Sequence, residues 1–460
     1  MTKDRTRRNE DEEQMSSDMH SPERDSTEKT GRTSGYPAST DEMMERIVAR
    51  ENVLRAWKQV KRNHGAPGVD GMTCEGFPTY ARNHWQQVAQ ALLDGRYHPS
   101  PVRRVEIPKP HGSGVRLLGI PTVIDRVIQQ AIAQILTPIF DPEFSESSFG
   151  FRPGRSAHDG VRKVREHISA GYGTAIEVDL AKYFDEVNHD VLMVRVARKV
   201  RDKRVLKLIG SYLRSGVVVN GITEETSKGV PQGGPLSPLL ANILLDDLDK
   251  ELERRGHKFA RYADDFVILV KSPRAGERVK QSVARFLEKK LKLKINREKS
   301  KAGKANKCKF LGFTFPGKTI RWTSEALKDF KHRIRELTGR SAGVSMQYRI
   351  AKLNEYIQGW MGYFGISQFW GPIESLDQWI RRRLRMCLWK QWRLVRTKVS
   401  ELAKLGADVK DVIRLSFQGH GPWWCSDTRE VQFALTNSYF HKQLGLVSIR
   451  ELWTQLHYPA

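Results

Sequence analysis

Cysteine is scarce in this chain, and what there is does not cluster. Cys74, Cys308, Cys387 and Cys425 are scattered over 460 residues with no Cys-x-x-Cys spacing. That spacing excludes a zinc ribbon and a disulfide framework and fits a reducing compartment. Long apolar runs are also missing, so no membrane span is expected. Met1-Thr2-Lys3-Asp4-Arg5 leads into no apolar segment, which gives no sign of a secretory signal and makes a cytoplasmic location the expectation. No short-period repeat occurs. The chain has no Gly-x-x-x-x-Gly-Lys-Ser/Thr loop, which argues against a P-loop ATPase, and no nucleophile elbow. No His/Cys cluster points to a soft metal.

What the chain has in excess is positive charge. Lys and Arg number 78 against 53 Asp and Glu, a net +25, which points to a polyanionic partner, most simply nucleic acid. The excess is not uniform. Residues 1–40 hold seven Lys/Arg against nine Asp/Glu and almost no large apolar side chain, and are expected to form a disordered tail. Hydrophobic residues at 39% suffice for a real core, and the length suits two to four domains.

The most informative stretch is Phe259-Ala260-Arg261-Tyr262-Ala263-Asp264-Asp265-Phe266-Val267-Ile268-Leu269-Val270. Two aromatic and β-branched runs flank an Ala-Asp-Asp step, the pattern of a tight hairpin. Carboxylates at the tip of a buried hairpin are costly unless something holds them. Divalent cations would do so, because hard cations prefer carboxylate oxygens. The plain alternative is an Asx-type turn with two solvated aspartates.

Taken in order, the folded part opens with a helix to about residue 62, a Gly/Pro-rich loop at 65–71 and a helix over 75–94. An alternating run over 101–109 and its return over 115–120 form a hairpin tipped by Gly112-Ser113-Gly114. It carries Lys109 and Arg116, one on each arm. These are either solvated edge cations or a clamp that closes on a triphosphate. Residues 147–159 form a Gly/Arg loop, in which Gly allows close backbone approach and Arg152 and Arg155 suit phosphate. A strand then ends in Asp179, followed by Leu180, Tyr183 and Phe184. Gly229-Val230-Pro231-Gln232-Gly233-Gly234 leads into a long helix with Ser237 as its expected N-cap. Asp246, Asp247 and Asp249 on that helix read as solvated polar positions. An amphipathic helix over 273–291 is followed by a basic stretch containing Lys299 and by Phe310-Leu311-Gly312.

From about residue 323 the texture becomes helical, with 3.6-type periodicity over 323–338, 345–364 and 373–395. Residues 326–400 hold fifteen Lys/Arg against five Asp/Glu and five of the eleven tryptophans. The tryptophans read as core packing between helices. Arg381, Arg382, Arg383 and Arg385 fall opposite the apolar face of their helix. They are a solvated face or, given the net charge, a contact to a nucleic-acid backbone. Residues 400–460 read as a small helical appendage without evident chemistry.

Asp179, Asp264 and Asp265 each end or tip a strand. Joining a nucleotide to a chain end needs positioning and charge neutralisation more than covalent help. Two divalent ions about 3.5–4 Å apart supply both. The order Asp179, Pro231-Gln232-Gly233, Tyr262-Ala263-Asp264-Asp265, Leu311-Gly312 resembles the palm and fingers of reverse transcriptases. Gly65-Ala66-Pro67-Gly68-Val69-Asp70-Gly71, Phe149-Gly150-Phe151-Arg152-Pro153-Gly154 and Gly119-Ile120-Pro121 narrow the resemblance to bacterial group II intron-encoded reverse transcriptase/maturases, over about 45–460.

The resemblance implies an α+β right-hand polymerase. Fingers and palm with an antiparallel sheet would occupy 41–322, a helical thumb or maturase domain 323–398, and a DNA-binding-like region 399–460. It implies an RNA-directed DNA polymerase that adds dNTPs to a primer 3′-hydroxyl and binds intron RNA to aid splicing and mobility. Asp179, Asp264, Asp265 and the Leu180 carbonyl would hold two Mg²⁺ ions, with Mn²⁺ as a substitute. Lys109 and Arg116 would clamp the triphosphate, Phe184 would lie under the sugar and Gln232 would line the nucleotide pocket. Leu311 and Gly312 would support the primer end, and Arg152, Arg155, Lys299 and the arginines at 381–385 would contact nucleic acid. The expected partners are group II intron RNA or another RNA template, a DNA primer or target, and dNTPs. No membrane is expected, the oligomeric state is monomer or homodimer, and the location is a bacterial cytoplasm, nucleoid-associated when DNA is bound. Many relatives continue into an HNH endonuclease with paired cysteines, which is not seen before Ala460. Target cleavage is therefore expected to come from elsewhere, or insertion to use a single-stranded or nicked site. Two other readings remain: a domesticated reverse transcriptase in phage defence or DNA repair, which would keep the same palm, and a non-catalytic splicing cofactor with a vestigial palm. The second would be marked by a lost carboxylate, and none is lost. An RNA polymerase or primase is disfavoured by Phe184, whose ring would exclude a 2′-hydroxyl.

Overall fold

The computed structural model describes residues 42–108, 114–219 and 221–459. The expected tail at 1–40, Lys109 and most of the first hairpin's tip lie outside the described residues. The chain divides into two compact units. One takes the described residues up to Gly160 with Thr174–Gly303, and the other takes Val161–Gly173 with the chain from Lys304 on. Among the described residues no helix is long and apolar enough to cross a membrane.

The first unit holds two sheets. Strands β1 (Val102–Pro108) and β2 (Val115–Ile120) pair antiparallel, with Ile107 opposite Arg116. The second sheet uses β3 (Thr174–Val178), β6 (Lys258–Tyr262), β7 (Asp265–Val270) and β8 (Lys301–Lys304), in the order β6-β7-β3-β8. The short hairpin β4 (Val217–Val219) and β5 (Ile222–Glu224) extends the first sheet, giving the order β2-β1-β4-β5. β1 to β4 is a parallel pair, so the first sheet is mixed. Around these strands pack helices at Arg50–Arg62, Phe77–Leu93, Val123–Phe140 and Ser237–Arg254. The expected first helix is broken at Ala49, whose extended ψ of 133° separates Met43–Val48 from Arg50–Arg62.

The Ser237–Arg254 helix departs from its expected cap and from the expected solvation of its aspartates. Leu239, Leu240, Ala241, Ile243, Leu244, Leu245 and Leu248 are all buried, so it is enclosed on most sides. Ser237 is inside the helix rather than its cap, and its hydroxyl donates to the Pro231 carbonyl at 2.7 Å. The three aspartates are not solvated. Asp246 pairs with Lys250 at 2.6 Å, and Asp247 pairs with Arg195 at 2.8 Å and with Arg198. Asp249 and Arg261 are both wholly buried and bonded to each other. Local burial explains the difference: Asp246 and Asp249 are buried and Asp247 is half-buried, so each takes a cation. Burial alone would lower the Arg261 guanidinium, but the Asp249 charge more than offsets this and holds it above its usual value.

The second unit is helical. Ser324–Leu337, Met346–Phe364 and Ile373–Gln391 bury Phe330, Leu353, Ile357, Trp360, Ile380 and Leu384 in one core. Trp360 and Trp389 are buried in it, as expected of packing residues. The helices after residue 399 belong to the same core rather than to a separate appendage. Asp377 ties them in, accepting from Ser448 Oγ at 2.9 Å and from the Ile449 and Arg450 N–H groups at 3.0 and 3.1 Å.

Removing one member of a buried ion pair strands the other. Asp249→Ala should lower unfolding free energy by about 3–5 kcal/mol in denaturant titration, with much of the loss recovered when Arg261→Met is added. A loss under about 1 kcal/mol, the range of a surface pair, would contradict this.

Candidate active site

Asp264 is delivered by a two-residue turn. Tyr262 and Asp265 are the last paired residues of β6 and β7, so Ala263 and Asp264 form the tip. Ala263 makes the turn possible with a left-handed φ of 56°. A residue with a side chain pays for that conformation, which persists only where its surroundings hold it. Of seven non-glycine residues with positive φ among the described residues, four lie in the motifs singled out by sequence: Phe151, Lys182, Ala263 and Leu311.

The surroundings of the turn come from an unexpected place. Residues 147–150 run beside β6: the Arg261 N–H donates to Ser147 O and the Phe149 N–H to Arg261 O, both at 2.8 Å. A Cβ on Gly150 would fall 2.4 Å from the Ala263 nitrogen. The glycine of the Phe-Gly-Phe-Arg motif thus admits the hairpin's own backbone rather than a ligand's. Arg152 is likewise turned inward. It is buried, pairs with Asp141 at 2.7 Å and donates to the Ser145 and Ser148 carbonyls at 2.6 and 3.0 Å. Its guanidinium is spent shaping the loop, which corrects its expected role on nucleic acid. Arg155 pairs with Glu146 at 2.5 Å.

Asp179 follows directly on Val178, which pairs with Phe266, so the register sets it beside the start of β7. Its backbone is held by a turn that sequence reasoning passed over as merely basic. The Asp179 N–H donates to Ser300 Oγ at 3.1 Å, and the Asn296 N–H donates to Asp179 O at 2.9 Å. The bridge between Leu180 and Ile295 is closed by Ala181 N–H to Lys294 O and Asn296 N–H to Asp179 O, so neither bond uses the Leu180 carbonyl. Lys299, in the same turn, is exposed.

The carboxylates feel one another. Burial pushes the Asp264 carboxyl above the usual carboxylate range and the Asp179 charge adds to the push, while the Arg116 and Arg261 charges pull back. Asp264 is half-buried, and Asp179 and Asp265 are exposed. These are hard oxygen donors crowding one another, beside a backbone carbonyl left open by the bridge, which suits Mg²⁺. They are not a finished cage: among the described residues no group of three His, Cys, Asp or Glu side chains converges tightly enough to hold a metal ion. Mg²⁺ commonly binds through one or two carboxylates and completes its shell with water and substrate phosphate.

Phe184 and Gln232 are brought together by stapled loops. The Val230 N–H donates to Phe184 O at 2.6 Å, the Gly229 N–H to Val187 O at 2.8 Å, and the Gly119 N–H to Gln232 O at 2.8 Å. Gly233, at φ 128°, leaves no room for a Cβ, which would meet the Gly119 carbonyl at 2.6 Å. Phe184 and Gln232 line two cavities. One, of about 380 Å³, is also lined by Gly119, Lys182 and Lys228. The other, of about 420 Å³, is also lined by Gly65, Arg126, Gln130 and Phe151. Arg116 is exposed on β2, within electrostatic reach of Asp264.

In the second unit, Leu311 and Gly312 both have positive φ, 52° and 81°, and Leu311 O accepts from Tyr363 OH at 3.0 Å. The arginines at 381–385 are not a free face. Arg382 pairs with Asp427 at 3.0 Å and lies over the Trp423 ring, and Arg383 donates to Thr338. Arg385 is buried against Leu435 O at 3.0 Å, and burial pulls it down to about 10. Arg381 is half-buried beside His441. Arg381, Arg382 and Arg385 meet residues after 399, whose packing was not legible in the short-stepped sequence, while Arg383 turns to Thr338 and Trp379.

The crowding at Asp264 has a measurable consequence. Its charged form is penalised in the fold, and the penalty is absent below the ordinary carboxylate range, where the group is protonated folded or unfolded. In chelator at neutral pH, Asp264→Asn should therefore raise Tm by about 2–4 °C, with the gain disappearing in acid. A lowered Tm at neutral pH would contradict the crowding.

Residues 107–315 match the reverse transcriptase (RNA-dependent DNA polymerase) family, and residues 327–406 match the group II intron maturase-specific domain. The chain is similar to protein YkfC of Escherichia coli strain K12, at 35% identity over 55% of this chain and 74% of that protein. It is similar to the group II intron-encoded protein LtrA of Lactococcus lactis subsp. cremoris, at 30% identity over 56% of this chain and 54% of LtrA. A putative COX1/OXI3 intron 1 protein of Saccharomyces cerevisiae is 33% identical over 44% of this chain and 24% of its own length. The match to LtrA thus spans about half of that relative. With both domains in sequence and the similarity to YkfC over most of its length, the chain belongs to the group II intron-type reverse transcriptases, which join an RNA-dependent DNA polymerase domain to a maturase-specific domain.

Proposed function

We propose that the chain extends a DNA primer on an RNA template and that its helical unit binds a structured intron RNA and aids its splicing. The observation that carries the polymerase reading is the meeting of Asp179 and Asp264 at the ends of paired strands, and it is supported by Phe184 and Gln232 lining the same two cavities. Asp179, Asp264, Asp265 and the Leu180 carbonyl would hold two Mg²⁺ ions. Bound there, the ions lower the pKa of the primer 3′-hydroxyl and neutralise the triphosphate and its leaving oxygen. Arg116, with Lys109, clamps the triphosphate as a fixed cation. Phe184 lies under the sugar and leaves no space for a 2′-hydroxyl. Gln232 lines the pocket for the incoming nucleotide, its carboxamide suited to any base pair because it both donates and accepts.

Primer extension on an RNA template with dNTPs and Mg²⁺ tests this. The Asp264→Ala/Asp265→Ala protein should lose more activity than the about 10–100-fold typical of outer-shell changes, while still binding template–primer. Phe184→Ala should raise ribonucleotide incorporation about tenfold or more. Wild-type protein that binds RNA tightly yet never extends a primer would favour the splicing-cofactor reading instead.

The RNA contact of the helical unit passes from the internally engaged arginines to exposed cations such as Arg340, Lys390, Arg393 and Arg396. Charge reversal at Arg393 and Arg396 should reduce the salt slope of RNA binding by about one for each phosphate no longer neutralised. An unaltered slope would remove these residues from the interface.

A further inference from the structure

We propose that Arg261, oriented by Asp249, is a positioning residue for the candidate metal site. Its guanidinium fixes the Ala263 peptide and with it the direction of the Asp264 carboxylate. The role rests on the polymerase reading given above.

A buried ion pair is a poor source of stability, because apolar side chains of similar volume usually hold a fold as well or better. Arg261 and Asp249 are nonetheless 0% exposed, in a region where Phe259, Phe266 and Leu248 show that apolar residues fit. The geometry supplies a reason. Nε donates to both Asp249 oxygens, at 2.8 and 3.0 Å, and Nη2 donates to Oδ2 at 2.5 Å. These bonds lock the planar fork and leave Nη1 aimed the other way. It donates to Asn242 Oδ1 at 2.9 Å and to the Ala263 carbonyl at 3.0 Å.

The Ala263 carbonyl belongs to the same peptide plane as the Asp264 N–H. Holding it holds the strained left-handed residue and sets the plane from which the Asp264 side chain departs. The turn is boxed from the other side as well. Asn242 Nδ2 donates to Gly150 O at 2.8 Å, and Gly150 packs against the Ala263 nitrogen. The chain of contacts runs from a helix aspartate, through a strand arginine, to the backbone of a turn whose next residue is a candidate metal ligand. A lysine could neutralise Asp249 but could not present this rigid fork.

Two variants of the full chain test the role. Arg261→Lys keeps the charge but loses the fork, and Arg261→Met with Asp249→Leu removes both charges so that neither is stranded. Mn²⁺ binding is read by electron paramagnetic resonance without substrate, beside thermal unfolding, template–primer affinity and the Mg²⁺ dependence of extension. Both variants should fold and bind template–primer as wild type does. Mn²⁺ affinity should fall about tenfold or more, and the Mg²⁺ midpoint of extension should rise in proportion. The KM for dNTP at saturating Mg²⁺ should stay the same. Folded variants with wild-type Mn²⁺ affinity and Mg²⁺ midpoint would overturn the proposal. Loss of folding in both would overturn it too, since the pair would then be a requirement of the fold. A wild type that binds Mn²⁺ but does not extend primers counts against the polymerase reading alone, and the Mn²⁺ comparison still decides the role of Arg261.

Discussion

Charge has to be carried to the tip of a buried hairpin, and the Arg261–Asp249 pair is how this fold does it. Away from their ends, the strands on either side of Ala263-Asp264 are apolar and enclosed, so the inner side of the turn is braced from within the protein. The brace is internal: a guanidinium with no exposure, an aspartate with none, and an asparagine amide bonded at both its ends. Several features that look separate depend on this. Residues 147–150 lie against β6 because Gly150 has no side chain to collide with Ala263. The Ser237–Arg254 helix is buried on nearly all sides because it supplies both Asn242 and Asp249 to the same place.

The second carboxylate is braced by a different device with the same logic. Asp179 leaves the end of β3, and its backbone N–H and carbonyl are both taken by the 296–300 turn. The Leu180 carbonyl is left out of the bridge by the alternation of antiparallel bonding, which is what a hard-metal ligand drawn from backbone requires. The half-buried Asp264 carboxyl, pushed up by burial and by the Asp179 charge, is thus held on rigid supports. Such a site stores free energy that a divalent ion would release, in line with the common cost of stability at functional sites. Phe184 and Gln232 depend on loops stapled to one another, with Gly119 and Gly233 bringing two backbones closer than any side chain would allow.

Much of this was legible in the amino-acid order, and the reasons for the rest are specific. The hairpin, the strand ending at Asp179 and the helices after residue 323 follow from period and turn chemistry, which are local. What failed was assigning a partner to a charge. Arg152, Arg381, Arg382, Arg383 and Arg385 read as cations offered to nucleic acid, yet each meets a carbonyl, carboxylate, hydroxyl or imidazole nitrogen of its own unit. Asp249 read as solvated and is the most enclosed acid in the site. A signal for Arg261 was present: an arginine between Phe259 and Phe266, in strands otherwise apolar, needs a buried anion. Nothing local identified Asp249, twelve residues earlier on a helix, as that anion. The need for Gly150 was visible, but its cause, the hairpin's own backbone, was not.

Asp179, Asp264 and Asp265 at these braced strand ends are the proposed holders of the divalent ions of nucleotide transfer. The most direct test is anomalous diffraction from crystals of the protein with template–primer, a non-hydrolysable dNTP and Mn²⁺. Manganese is expected to be bonded by Asp179 and by the Asp264-Asp265 tip, with the Leu180 carbonyl and triphosphate oxygens completing the shell. Manganese held by the triphosphate with no aspartate in contact, in protein that extends primers in solution, would contradict this proposal.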